Sequence, residues 1–335
     1  MRMTNYISLP EEKKPQISII IPLYNKAQYI QRTLDSVLSQ TTQDFEVIVV
    51  GGKSNDGGEE IVKSYPDSRV KLIQEEGVGV SAARNQGVNV AQSDFIAFLD
   101  ADDVWLPNFL ETILNLRKQH PKAGLYGTGF YINQKGMLTE CVYNPADGEQ
   151  RIPNYFKAKN SLGDFLIMTS FMAIPKDVYI SLGGFPEDST QHEDRCLRGK
   201  IALDYDVIYS PKLCGKYTYN YDTYGNRALR YIKEPFSAYV AENYEHIKDR
   251  DNIDDIIEFC DHGKNGVILL NLEWNNNRKN VRKDILSIST PKMQFKKWRL
   301  YVLSYMPRIC FHYLQATIRW GQEMKKKYHT CLNKP

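Results

Sequence analysis

Four short apolar runs occupy the first hundred residues: Ile17–Ile21, Phe45–Val50, Val70–Ile73 and Phe95–Leu99. Runs of this length, rich in β-branched residues and bounded by polar or glycine-containing turns, read as strands buried on both faces. The segments between them carry helical signals. Tyr29–Gln40 sets Ile30, Leu34, Val37 and Leu38 on one helical face. Ser54-Asn55-Asp56-Gly57 is turn chemistry ahead of a helix to Tyr65, and Ser81–Ala91 and Leu110–Gln119 also read as helices. Strands that alternate with helices imply parallel βαβ units in a doubly wound sheet. Ser170–Lys176 and Asp204–Ser210 are expected to add strands. Beyond about residue 225 the alternation stops, and 228–248, 254–275 and 293–325 read as helices.

The fourth run ends in three carboxylates, Asp100, Asp102 and Asp103. Open α/β sheets bind ligands outside the carboxyl ends of their strands. Clustered carboxylates repel one another unless a positive group sits among them. Magnesium, held by one or two carboxylates plus substrate phosphates, is one such group. Read locally, two assignments stay open. One is a metal–diphosphate site. The other is a strand end followed by a helix capped by Asp102 or Asp103, before Leu106-Pro107.

A nicotinamide-binding domain would place GxGxxG directly after the first strand. That position reads Ile21-Pro22-Leu23-Tyr24-Asn25-Lys26, without glycine, and the GxG of Gly77–Gly79 follows the third strand. A formal net charge of +3 over 335 residues gives no case for a nucleic-acid partner. The six cysteines are scattered with no CxxC pair, which argues against a zinc ribbon or redox pair. Residues 1–15 are polar and read as a loose leader with no apolar segment of a secretory signal, so a cytoplasmic setting is expected.

Three stretches together resemble glycosyltransferase family 2. They are Ser18-Ile19-Ile20-Ile21-Pro22-Leu23-Tyr24-Asn25, Gly79-Val80-Ser81-Ala82-Ala83-Arg84-Asn85-Gln86-Gly87 and Phe98-Leu99-Asp100-Ala101-Asp102-Asp103. Ser181–Glu187 and His192-Glu193-Asp194 are similar to the family's acceptor-side segments. The resemblance covers roughly 16–220. It implies an α/β GT-A fold, Rossmann-like, with a mixed, mainly parallel sheet, flanking helices and a helical C-terminal extension. The implied catalytic domain is 16–225, with a nucleotide-sugar half at 16–105 and an acceptor half at 106–225; the basic extension is 226–335.

The resemblance also implies roles. Asp100 faces the donor and Asp102 reaches a Mn²⁺ or Mg²⁺ on its diphosphate, while Asp103, by its position, is read as the cap of the next helix. Pro22, Tyr24 and Asn25 border the nucleotide, with Tyr24 offering a flat face to the base. Arg84 meets the nucleotide or its phosphates. Asp194 is the expected base on the acceptor hydroxyl, positioned by Glu193, with His192 on the acceptor side. The implied reaction is inverting sugar transfer, from a donor such as a UDP-sugar to a glycan or lipid-linked glycan, in surface polysaccharide assembly. One stretch departs from the family. Members usually end the second strand with Asp-Asp-Gly-Ser, whereas this chain reads Gly51-Gly52-Lys53-Ser54, retaining only the later Asp56. The carboxylate that accepts a hydrogen bond from uracil is missing, which leaves open a different base, a main-chain contact through Gly51 and Gly52, or a non-catalytic scaffold.

The tail mixes Lys292, Lys296, Lys297, Arg299, Arg308, Arg319 and Lys325–Lys327 with Trp298, Tyr301, Leu303, Tyr305 and Trp320. Pro307 interrupts it, so it reads poorly as a spanning helix. Two readings remain: peripheral contact of 292–327 with an anionic membrane face, or a helix packed on the core.

Overall fold

The structure is a computed structural model that describes residues 14–144, 150–189, 191–219, 232–273 and 277–305. The leader before residue 14, the boundary expected near residue 225, and the tail beyond 305 lie outside the described residues.

The strands are β1 (Ile17–Leu23), β2 (Phe45–Gly51), β3 (Val70–Gln74), β4 (Phe95–Phe98), β5 (Val104–Trp105), β6 (Leu125–Gln134), β7 (Met137–Cys141), β8 (Met172–Pro175) and β9 (Val207–Thr218). The helices are α1 (Ala27–Leu38), α2 (Gly58–Lys63), α3 (Val80–Val90), α4 (Phe109–Gln119), α5 (Tyr155–Leu162), α6 (Lys176–Ser181), α7 (Glu193–Asp204), α8 (Pro235–Glu242), α9 (Tyr244–Ile247), α10 (Ile253–Glu273), α11 (Arg278–Leu286) and α12 (Gln294–Leu303).

The described residues divide into two compact units. One unit holds those within 14–153, 164–185 and 201–219, and the other those within 154–163, 186–200 and 232–305. The first holds one mixed sheet in the order β3-β2-β1-β4-β8-β6-β9-β5, with β7 paired to β6. β1, β2, β3 and β4 are mutually parallel, and β8 joins β4 antiparallel. This mixed α/β sheet with flanking helices is the GT-A architecture. Every residue of β2 is buried, and β1 exposes only part of Pro22. Each large apolar side chain so enclosed contributes about 1.5–3 kcal/mol, which is why the β-branched runs lie at the centre of the sheet.

The second unit is helical, with α10 packed against α5, α8 and α11. Ile268, Leu272, Val281, Ile285, Met293, Leu300 and Leu303 form its core around α10, α11 and α12. Of the helical spans expected there, 254–275 appears as the single helix α10, the described part of 228–248 appears as α8 and α9 broken at Asn243, α11 was not expected, and α12 meets the described part of 293–325. Among the described residues, no helix is long and apolar enough to cross a membrane.

Candidate active site

The acidic turn after β4 is fixed from three sides within the first unit. From α1, Thr33 Oγ1 donates to the carbonyls of Ala101 (2.9 Å) and Asp103 (2.8 Å), and Arg32 Nη2 donates to that of Asp102 (2.8 Å). Asp100 N donates to Ser170 Oγ at 3.1 Å. With the backbone held, each carboxylate meets a different partner. Asp100 Oδ1 accepts from Arg84 Nη2 of α3 at 2.7 Å. Asp102 pairs with the Lys26 ammonium at the start of α1. Asp103 is fully buried and accepts from Ser170 Oγ at 2.5 Å and from Thr218 N of β9 at 2.7 Å.

Burial dominates the titration of this turn. It pushes the Asp102 carboxyl above its ordinary value; Lys26 opposes the shift and Asp100 adds to it. Asp103 is pushed up further by burial, then by Asp102 and Asp100, against the Ser170 and Thr218 hydrogen bonds. Asp103 is therefore not the cap expected from sequence. The short strand β5 follows it, and Asn108 precedes α4. The carboxylate braces the turn against β9 instead.

The ends of β1, β2 and β3 lie side by side. Leu23 pairs with Gly51, and Gly51 with Gln74. Beyond these, Gly52 N donates to Leu23 O and Glu75 N to Gly51 O, both at 2.8 Å. Tyr24 is 61% exposed, and Asn25 next to it has φ +51°. Asp56 accepts from Ala27 N at 2.8 Å and Gly58 N at 3.1 Å, tying the β2 turn to α1. The Ala27 N–H, against a small burial cost, holds the Asp56 carboxyl below its ordinary value.

The sequence of this stretch matches a family model for glycosyl transferase family 2 over residues 18–180. Residues 18–180 form a glycosyltransferase family 2 domain. An uncharacterized glycosyltransferase of Rickettsia prowazekii is 32% identical over 219 residues, covering 62% of this chain and 66% of that protein. The UDP-Glc:alpha-D-GlcNAc-diphosphoundecaprenol beta-1,3-glucosyltransferase WfgD of Escherichia coli is 35% identical over 127 residues, covering 38% of this chain and 50% of that protein. The chain thus spans about two thirds of the first of these relatives and half of the second. In three dimensions, S. aureus TarS 1-349 in complex with UDP-GlcNAc superposes with a TM-score of 0.62 at 17% identity, covering 87% of this chain and 89% of that one. The mannosyltransferase PcManGT of Pyrobaculum calidifontis, in complex with GDP-Man and Mn²⁺, gives 0.50 at 19% identity, covering 91% and 85%.

Within the family 2 domain, the structure brings Pro22, Tyr24, Asn25, Gly51, Gly52 and Asp56 to the ends of β1 and β2, and Arg84, Asp100 and Asp102 to the end of β4 and the start of α3. Arg84 is buried, with its guanidinium 4.9 Å from the Phe185 ring centroid. Glu193 and Asp194 open α7 and belong to the second unit, as does His192. Asp194 Oδ2 accepts from the buried Arg198 Nη2 at 2.8 Å. His192, at φ +62°, sets Nδ1 3.8 Å from the buried Glu234.

Lys26 and Glu75 escaped the sequence reading. Lys26 lies 76 positions from its partner Asp102, so no local pattern announces the pair. Glu75 could have been found. In a parallel sheet, the residue after the third strand lies beside the residue after the second.

Proposed function

We propose that this chain transfers a sugar from a nucleotide-diphosphate sugar to an acceptor hydroxyl, with inversion and with a divalent cation, in polysaccharide or glycan assembly. The observation that carries the proposal is the rigid Asp100–Asp102 turn inside a family 2 domain, with each carboxylate already facing a cationic side chain. The similar proteins support the donor and acceptor classes: the E. coli relative is named for UDP-Glc and a diphosphoundecaprenol-linked sugar, and the Pyrobaculum calidifontis mannosyltransferase holds GDP-Man and Mn²⁺.

The donor set suits the cation. Burial raises the proton affinity of Asp102, Lys26 opposes that and the Asp100 charge adds to it, and a hard cation would relieve the strain between the two carboxylates. Among the described residues no three His, Cys, Asp or Glu side chains form a complete metal site, so phosphate oxygens would complete the shell. When bound, the cation would neutralise charge on the leaving diphosphate. Arg84 and Lys26 supply positive charge to the same region. Asp194 takes the acceptor proton as the acceptor oxygen bonds to the anomeric carbon and the bond to the diphosphate breaks. Arg198 fixes the Asp194 rotamer.

The Asp194→Asn variant tests this reading. Transfer from a radiolabelled donor should fall about 10²–10⁴-fold, while nucleotide binding changes less than about twofold. Turnover at the wild-type rate would remove Asp194 from the base role.

A lipid-linked acceptor would bring the chain to a membrane. On α12, Phe295, Trp298 and Val302 are exposed at helical spacing, followed by exposed Tyr305 just past its end, among Lys292, Lys296, Lys297 and Arg299. Such a face suits an anionic interface. Flotation with vesicles containing phosphatidylglycerol should carry the full chain and lose it on Phe295→Ser/Trp298→Ser; equal flotation of both would sink the contact.

A further inference from the structure

The pair Gly51-Gly52 leaves the end of β2 without a side chain, yet the space beside it is filled by carboxylates. A Cβ on Gly52 would stand 2.8 Å from Glu75 Oε2 and 3.2 Å from Tyr24 Cδ2. A Cβ on Gly51 would stand 2.8 Å from Glu59 Oε1. The two glutamates differ in what they already hold. Glu59 accepts from Gln74 Nε2 at 2.7 Å and lies 3.8 Å from the Lys63 ammonium. Glu75 keeps a buried oxygen, Oε1, with no hydrogen-bond partner. Burial pushes its carboxyl above the ordinary range, against the Gly79 N–H and the Lys53 charge. An ionised carboxylate only accepts hydrogen bonds, and one left unmade in a buried place is costly. Beside it, the Tyr24 ring is exposed and offers a stacking face.

We propose that Glu75 is the residue that selects the donor's base: its carboxylate accepts the ring N–H of a base lying on Tyr24, in place of a side chain at position 52. This deepens the donor-site reading above and rests on it. The chemistry sorts the four bases. Uracil offers a ring N–H, and guanine a ring N–H with an adjacent amino group that a carboxylate can take in bidentate fashion. Cytosine and adenine present a lone pair at the equivalent ring nitrogen, which faces the carboxylate unfavourably. Uridine or guanosine diphosphate sugars are therefore accepted, and cytidine or adenosine ones rejected.

Calorimetric titration of the full chain with UDP, GDP, CDP and ADP, each with Mn²⁺, tests the assignment. In the wild type, UDP or GDP should bind at least about tenfold tighter than CDP and ADP. Glu75→Gln should weaken the preferred nucleotide about tenfold to a hundredfold. The same change should hold or improve CDP and ADP, because the new amide can donate to their ring nitrogen. That closing of the ratio is not expected from a merely structural role, and it is read from the folded fraction even where the variant loses stability. The double variant Gly52→Asp/Glu75→Ala should recover the preference. A wild-type ratio in Glu75→Gln overturns the assignment and leaves the donor site standing. Failure of all four nucleotides to bind the wild type overturns both.

Discussion

Asp102→Asn is expected to lower sugar transfer about 10²–10³-fold, mainly in kcat, with little loss of folded protein. The magnitude is that of removing one preorganised electrostatic contact at a developing charge. Two effects add. The amide is a poorer ligand for a hard cation, and the half-buried Lys26 ammonium loses its anionic partner in the resting chain. The fold is spared because the turn's carbonyls remain tied to Thr33 and Arg32. Initial rates over a range of donor concentrations provide the check. A variant with normal kcat would place Asp102 outside the diphosphate site, whatever happens to KM.

Asp103→Ala is expected to act on stability instead. It deletes the acceptor for Thr218 N and Ser170 Oγ in a fully buried place, at about 3 kcal/mol for the two unmade bonds. Asp103→Asn keeps an oxygen for Thr218 N and turns an amide toward Ser170, whose hydroxyl can rotate to accept. It also removes a buried carboxyl whose ionisation is already disfavoured, so its cost should stay under about 1 kcal/mol. Urea unfolding followed by tryptophan fluorescence separates the two, since Trp105 Nε1 donates to Ser170 O at 2.6 Å. Equal midpoints for wild type and Asp103→Ala would show that the brace contributes nothing.

The parallel half of the sheet was legible because its signals are local. The four apolar runs begin where β1 to β4 begin, and the helices start within two residues of their expected positions. β6 and β7 went unread. Gly127 and Gly129 look like chain breakers in sequence, but both sit inside β6 where neighbours press close. A Cβ on Gly127 would lie 2.9 Å from Ile167, and one on Gly129 3.0 Å from Pro211 O. Close packing, not turn formation, selects glycine there. The candidate carboxylates were legible for a similar reason, since they end a strand. Their partners were not. Lys26, Ser170 and Thr218 reach the turn from 67 or more positions away in the chain. The assignment of Asp103 as a cap failed on this point: a local rule fitted the spacing, and a long-range hydrogen bond to β9 overrode it.

The strand order β3-β2-β1-β4 separates two tasks along one edge of the sheet. The base would be read at the ends of β1 to β3, by Tyr24 and Glu75, and the diphosphate handled at the end of β4. The carboxylate turn is braced by α1, α3, β9 and Ser170, none of which includes residues 51, 52 or 75. Drift at those three positions can therefore retune which donor is admitted while the transfer machinery stays intact. With Glu75 as the base reader, a protein built on this frame would change the donor it admits by substitutions at one end of the sheet edge, without touching the turn that carries Asp100 and Asp102.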